Sequence, residues 1–338
     1  MADNLSFYER PSDSRSIAIV GVPIEIGSDE RGLAKAPRAI LDAGLEKVVT
    51  SLGNDVVSTE MIPCPKPTRA VTSGKAKYLE EIAEISRATC ATVERSVKHG
   101  EMVVALGGDH AMAIGTISGA ACALQAEGRS LGVIYIDAHP DCNTHETSIT
   151  GNIHGHVTAA LMGHGHSLLT GIGGTQRKVA PENFLYIGLK DFDPLEIDYL
   201  RREKAKVVTM LDITERGLSR AILAIDALRH KVDTIWVSMD MDSIDEADAP
   251  GVGLEMPGGL TRREVLGLAQ YIGKTCKLTG FDLVEILPAK DKERKTVQLA
   301  LELAARFLGG EYGWYQSQYM QNYRDTNVFD VESARVEK

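Results

Sequence analysis

The sequence predicts a single three-layer α-β-α domain around a mostly parallel sheet of about eight strands. Three observations carry this. Short apolar runs with no internal polar alternation recur along the chain, as strands buried on both faces require. They alternate with segments whose apolar residues fall at helical spacing, and neither a linker-like shift in composition nor an internal repeat interrupts the pattern. Acidic residues and histidines gather where the apolar runs stop, which is where ligands sit in open parallel sheets.

The elements follow in order. Residues 16–23 (SIAIVGVP) read as a first strand after a polar N-terminal stretch, then a Gly-rich loop and a helix beginning near Pro37, a residue suited to a first helical turn. Residues 56–62 make a second strand and 78–98 a long helix, joined by the Pro-containing connection 63–75. Residues 102–106 form a strand ending in GGDH, 111–125 a small-residue helix able to pack closely on a sheet, and 131–136 (LGVIYI) the next strand. A helix opens between 154 and 162, and a Gly-rich loop occupies 163–175. Strands at 184–189, 207–211, 234–239 and 278–286 alternate with helices at 193–202, 219–230, 261–276 and 296–307. The domain spans 1–309. Residues 310–338 are a tail rich in aromatics, among them Trp314, Tyr315 and Tyr319, which either docks on a neighbouring subunit or wraps its own domain.

Bulk composition narrows the function classes. The chain has 338 residues, 43% hydrophobic and 25% charged, and is long enough for one large core. A net charge of −10 disfavours nucleic acid or an anionic membrane as partner and favours a small molecule. Neither a membrane span nor a signal peptide is legible, so the expected compartment is the cytoplasm. The five cysteines are scattered without a CxxC pair, which points to reduced thiols rather than a disulfide framework or a zinc-thiolate site.

Three strand ends carry the chemistry: GGDH (Asp109, His110), DAHPD (Asp137, His139, Asp141) and SMDMD (Asp240, Asp242). Asp137, His139 and Asp141 occupy alternate positions, so an extended backbone there would put all three on one side. Gathering that many carboxylates in one cleft costs several kcal/mol of repulsion and desolvation unless cations neutralise them. A donor set of two histidines and four aspartates without thiolate suits Mn²⁺ or a similar divalent ion, and two such ions acidify a shared water.

GGDH, DAHPDCN, TGNIHG, SMDMD and GFDLVEILP together resemble the arginase or ureohydrolase family, over roughly residues 16–309. Within it the chain looks most like arginase proper: DAHPDCN leads without a gap into TGNIHG, and YIGLKDFDPLE is similar to a segment typical of arginases. The resemblance implies an arginase-deacetylase-like fold and hydrolysis of L-arginine to L-ornithine and urea by a hydroxide shared between two Mn²⁺, with Ni²⁺ or Co²⁺ as alternatives. One ion would be held by His110, Asp137, Asp141 and Asp240, the other by His139, Asp137, Asp240 and Asp242, with Asp137 and Asp240 bridging. Asp141 would orient the hydroxide and protonate the departing amine, and His154 would shuttle protons. Glu285 would receive the guanidinium, Asn143 and Thr150 the α-carboxylate, and Asp193 the α-amino group. Local readings stand beside these: Asn143 as a turn former, Thr150 as a backbone hydrogen-bonder and Asp193 as a helix N-cap. The resemblance further implies a homo-oligomer, trimeric or hexameric. It assigns nothing to Asp109, Asp245 or His156, and His145, His164, His166 and Cys142 read as loop residues.

The chain departs from the family in GVGLEMPGG, where Leu254 replaces a hydroxyl and Glu255 adds a carboxylate, and at Glu246, where the family has proline. Another guanidino substrate such as guanidinobutyrate, agmatine or a small guanidine is therefore the alternative. A non-catalytic binding or assembly protein is the reading of a different class.

Overall fold

A computed structural model describes residues 14–310, apart from 66, 68–70, 72–73 and 175–176. The expected aromatic tail lies outside the described residues, as does any test of the boundary at 309. Eight strands, β1 (Ser16–Val22), β2 (Asp55–Met61), β3 (Met102–Gly107), β4 (Leu131–Ile136), β5 (Phe184–Leu189), β6 (Lys206–Thr209), β7 (Thr234–Asp240) and β8 (Leu278–Val284), make one sheet. Its order is β2-β1-β3-β8-β7-β4-β5-β6, and every neighbouring pair is parallel.

The continuous apolar runs are explained by burial on both faces. β3, β4, β5 and β7 are buried along their whole length, whereas β2 at the sheet edge is mostly exposed. Alternate residues feed two cores: Ile134 and Ile136 join one, Val133 and Tyr135 the other. The helices Leu79–Lys98 and Met112–Ala126 contribute Ile82 and Ile114 to the core that holds Tyr135. On the opposite face Ala36–Asp42, Ser219–Arg229, Arg262–Thr275 and Lys295–Phe307 contribute Ile40, Ile225, Val265 and Leu299. These are the three expected layers.

The expected helices at 154–162 and 193–202 and the expected strand at 207–211 need adjustment. Residues 153–161 are a 3-10 turn followed by the short helix Val157–Leu161, and Asp193 precedes the helix Pro194–Arg202 instead of belonging to it. The strand expected at 207–211 stops at Thr209, whose hydroxyl accepts from the amide of Asp212 and opens the helix Met210–Arg216. A capping hydroxyl thus overrides the apolar character of Met210 and Leu211. The helix Leu45–Ser51, set off by Gly44 at φ 107°, is a further element that the sequence pattern left unassigned.

Because all strands run the same way, their carboxyl ends share one edge. Strands β3, β8, β7 and β4 are consecutive neighbours in the sheet although far apart in sequence. The residues that follow them therefore meet.

Candidate metal centre

His110 follows β3 and its ring is fully buried. Its Nε2 lies 2.8 Å from Ser238 Oγ, and that hydroxyl donates in turn to Asp282 Oδ1 at 2.6 Å. Ser238 has one proton and gives it to Asp282, so His110 Nε2–H is the donor to Ser238 and Nδ1 is the nitrogen facing the cleft. Around Nδ1 stand Asp240 Oδ2 at 3.0 Å, Asp137 Oδ2 at 3.1 Å and Asp141 Oδ2 at 3.4 Å. A single ring nitrogen cannot satisfy three carboxylates. Asp137 Oδ2 is buried and has no hydrogen-bond partner of its own.

The second group is built on the other oxygen of Asp137. His139 Nδ1 lies 3.5 Å from Asp137 Oδ1 and 3.2 Å from Asp242 Oδ2. His110, Asp137 and Asp240, and separately Asp137, His139 and Asp242, each bring one ligand atom within mutual reach of a single cation. Asp137 is common to both groups. All six residues expected at the centre therefore converge, Asp141 through its 3.4 Å approach to His110.

The expected extended run from 137 to 141 does not occur, because β4 ends at Ile136 and Asp141 has φ 48°. The carboxylate is delivered by a left-handed residue after Pro140, a backbone that costs an aspartate about 1 kcal/mol or more and persists only where the surroundings fix it. Cys142 N donates to Glu196 Oε1 at 3.0 Å and Thr158 Oγ1 donates to Pro140 O at 2.7 Å, which supplies that fixing. Glu285 is likewise left-handed, at φ 64°, and sits just beyond β8 rather than within it.

Electrostatics separate the four carboxyls. Burial is the largest influence on each and raises its pKa: Asp240 is held well above the usual carboxylate range, Asp242 is raised, and Asp141 rises to about 7, helped by the charge of Asp137. Asp137 alone goes down, to about 2, because the combined pull of the His110 and His139 imidazoles outweighs its burial. Protein groups alone cannot keep all four ionised. The orphaned Asp137 oxygen, the crowding of His110 Nδ1 and a donor set of imidazole and carboxylate without thiolate all fit a pair of divalent cations.

Beside this cluster Glu285 Oε1 accepts from the His110 amide at 2.8 Å and lies 3.2 Å from His154 Nδ1. Gly253 packs over the same carboxylate: a Cβ there would lie 3.1 Å from Glu285 Oε2. Burial pulls the His154 imidazolium down, yet its hydrogen bond and attraction to Glu285, then Asp141 and Asp109, lift its pKa to about 9. Asn143 Nδ2 donates to Asp193 Oδ2 at 2.8 Å, so these two expected substrate residues meet. Thr150 is exposed and accepts from the Asn152 amide at 3.2 Å within its own loop; it touches neither of them. The N-cap reading of Asp193 also holds, since Asp193 N donates to Glu196 Oε2 at 3.0 Å at the start of its helix.

The sequence profile of the arginase family matches residues 15–309. The chain belongs to the arginase family. It is 36% identical over 298 residues to an arginase of Bacillus caldovelox, covering 87% of this chain and 98% of that one. An arginase of Brevibacillus brevis is also 36% identical, over 88% of this chain and 98% of its own. The native B. caldovelox arginase structure at pH 5.6 superimposes with a TM-score of 0.83 at 36% identity, covering 88% and 99% of the two chains. An Entamoeba histolytica arginase solved with L-ornithine gives 0.81 at 27% identity over 88% and 99%.

Several residues of this arginase-family centre escaped the sequence reading. Tyr135 looks like any apolar residue of β4, yet its hydroxyl donates to Asp141 Oδ2 at 2.7 Å. Asp282 is fully buried in mid-strand and accepts from Trp236 Nε1, Ser238 Oγ and Thr116 Oγ1. An aspartate inside an apolar run was the available signal, because a buried carboxylate needs such donors. Asp109, unassigned from sequence, accepts from the amides of Gly27 and Ala111 and braces the loop carrying His110. At the departure from the family pattern, Leu254 is half-exposed and Glu255 Oε1 stands 3.6 Å from Lys290 Nζ.

Proposed function

We propose that the chain hydrolyses L-arginine to L-ornithine and urea, with two Mn²⁺ held by His110, Asp137, Asp141, Asp240, His139 and Asp242. The observation carrying this reading is the sharing of the buried Asp137 between two histidine-carboxylate groups at the carboxyl edge of the sheet. It is supported by the family membership and by the arginases that the chain resembles at up to 36% identity. When bound, paired divalent cations supply a water acidified enough to be nucleophilic at neutral pH.

The protein's own groups do the rest. Glu285 is nearly dry and offers its carboxylate to the planar guanidinium, whose fork of N–H donors matches it. Displacement at the guanidino carbon adds water, releases the chain nitrogen as an amine and leaves urea. That nitrogen needs a proton, and Asp141, raised by burial to about 7, is suited to carry one at neutral pH. His154, 30% exposed and beside Glu285, is placed to exchange protons between the cleft and solvent. Asn143 and Asp193, already hydrogen-bonded to each other, offer a polar end for the amino-acid moiety, with Thr150 entering from its exposed loop.

A second reading keeps the chemistry and exchanges the substrate for another guanidino compound. It is favoured by Leu254, an exposed apolar residue that directly follows Gly253, the glycine packed over Glu285. Steady-state comparison of arginine with agmatine and guanidinobutyrate on the Mn²⁺-loaded protein tests both. Arginine should lead in kcat/KM by at least tenfold; a decarboxylated analogue turned over equally well removes the arginase assignment. The proposed setting is a cytoplasmic homo-oligomer, trimeric or hexameric, which sedimentation would check.

A further inference from the structure

On the face of the sheet opposite the Arg262–Thr275 helix, the helices Leu79–Lys98 and Met112–Ala126 touch backbone to backbone. Glycine permits it: a Cβ on Gly115 would lie 2.8 Å from Ser86 O, and one on Gly119 would lie 2.5 Å from Cys90 O. Cys122 is three residues beyond Gly119 and so lies on the same helix face, turned toward Cys90. Both sulfurs converge on Gly173, where an added Cβ would lie 2.3 Å from Cys122 Sγ and 3.3 Å from Cys90 Sγ. The separation of the sulfurs cannot exceed the sum of those two distances. The Cys122 thiol donates to Gly173 O at 3.2 Å.

We propose that Cys90 and Cys122 are a redox-active dithiol that closes to an intramolecular disulfide when the protein meets hydrogen peroxide or a similar two-electron oxidant. Backbone contact between the two helices gives the close approach that a disulfide needs. The two thiols differ in the way that such chemistry uses. Cys90 is buried, whereas Cys122 is partly exposed. The neighbouring Cys90 side chain, with Lys178 and Lys98 nearby, brings the Cys122 thiol down to about 7 against its burial and the charge of Glu94. By contrast, burial raises the thiols of Cys64, Cys142 and Cys276.

The electrons balance in two steps. The Cys122 thiolate attacks one peroxide oxygen, giving a sulfenic acid as the O–O bond breaks and hydroxide leaves. Cys90 sulfur then attacks Cys122 sulfur; the S–OH bond breaks, and the Cys90 proton goes to the departing hydroxide as water. Two thiols are oxidised, one peroxide is reduced, and two waters result. The crosslink pins the helix that starts two residues after His110, so it fixes one wall of the cleft in place.

Peroxide treatment of the full-length, Mn²⁺-loaded protein, followed by thiol titration under denaturing conditions and peptide mapping, tests the inference. The five titratable thiols should fall to three, with a Cys90–Cys122 peptide that dithiothreitol reverses. Cys90→Ser should stop at a Cys122 sulfenic acid that dimedone traps, and Cys122→Ser should leave Cys90 reduced. Five thiols surviving in the parent, a different pairing, or the same sulfenic or sulfinic Cys122 in parent and Cys90→Ser alike would each overturn it.

Discussion

The hydroxyl of Tyr135 donates to Asp141 Oδ2 at 2.7 Å while the tyrosine ring stacks on His110, centroids 4.6 Å apart and planes 4° from parallel. One fully buried side chain thus touches two residues proposed to hold the same cation. The stacking keeps the imidazole flat against β4, and the hydrogen bond fixes which way the left-handed Asp141 turns its carboxylate.

Tyr135→Phe retains the ring and loses only the hydroxyl. Partners that orient metal ligands typically contribute 10–100-fold in affinity, so calorimetric Mn²⁺ titration should show one of two ions weakened by about that factor. The other ion, held through His139 and Asp242, should be unchanged. Two ions bound as tightly as in the parent would reduce Tyr135 to packing.

Asp141 and His154 should not be equivalent in turnover. Asp141→Ala removes a proposed ligand and the proton carrier together, whereas His154→Ala removes a relay that water can partly replace. Single-turnover urea release should fall by about 10²-fold for His154→Ala and by more than about 10⁴-fold for Asp141→Ala. Similar residual rates in the two variants contradict the assigned roles.

Glu285 has two measurable duties. Glu285→Gln should lower kcat/KM for a guanidino substrate by roughly 10- to 100-fold, the worth of a charged hydrogen bond. In the metal-free protein His154 should titrate near 9, and this variant should bring it back toward an ordinary histidine. A histidine raised on folding stabilises the folded state below its unfolded value near 6.5, and that contribution disappears as pH rises through about 9. NMR titration of the ring checks both; an unmoved His154 in Glu285→Gln denies the pairing.

His156 should act in the opposite direction. It is 3% exposed, its Nε2 has no hydrogen-bond partner, and burial, then the charges of His154 and His145, lower its pKa to about 4. The unfolded chain takes up this proton near 6.5 and the folded chain does not, so stability is present above 6.5 and drains away toward 4. The loss approaches about 3 kcal/mol at most. Urea unfolding of the metal-free protein at pH 7 and pH 5 should show a shallower acid loss in His156→Gln than in the parent; identical slopes dismiss the effect.

The chemistry-bearing ends of β3, β4 and β7 were legible because an apolar run that stops at Asp or His is a local pattern, readable from neighbours in sequence. Glu285 was legible only with the family resemblance, since GFDLVEILP contains two acidic residues and nothing local says which faces the cleft. Tyr135 and Ser238 were illegible: a hydroxyl inside a buried strand becomes functional only when another strand places Asp141 or His110 against it. The Asp141 backbone was misjudged as extended, since alternation in sequence carries no information about a left-handed turn enforced by Glu196 and Thr158 from later elements.

By itself the sequence determined which stretches are strands, that the sheet is mostly parallel with its central strands covered on both faces, and which strands lead into ligand-type side chains. Those properties follow from local periodicity and from desolvation at each position. Only the tertiary structure decided that β8 and β7 are inserted between β3 and β4, so that His110 meets Asp240 and Ser238 from 130 and 128 residues away. Strand order is settled by burying both faces of the whole sheet at once, a condition that no single stretch of chain encodes.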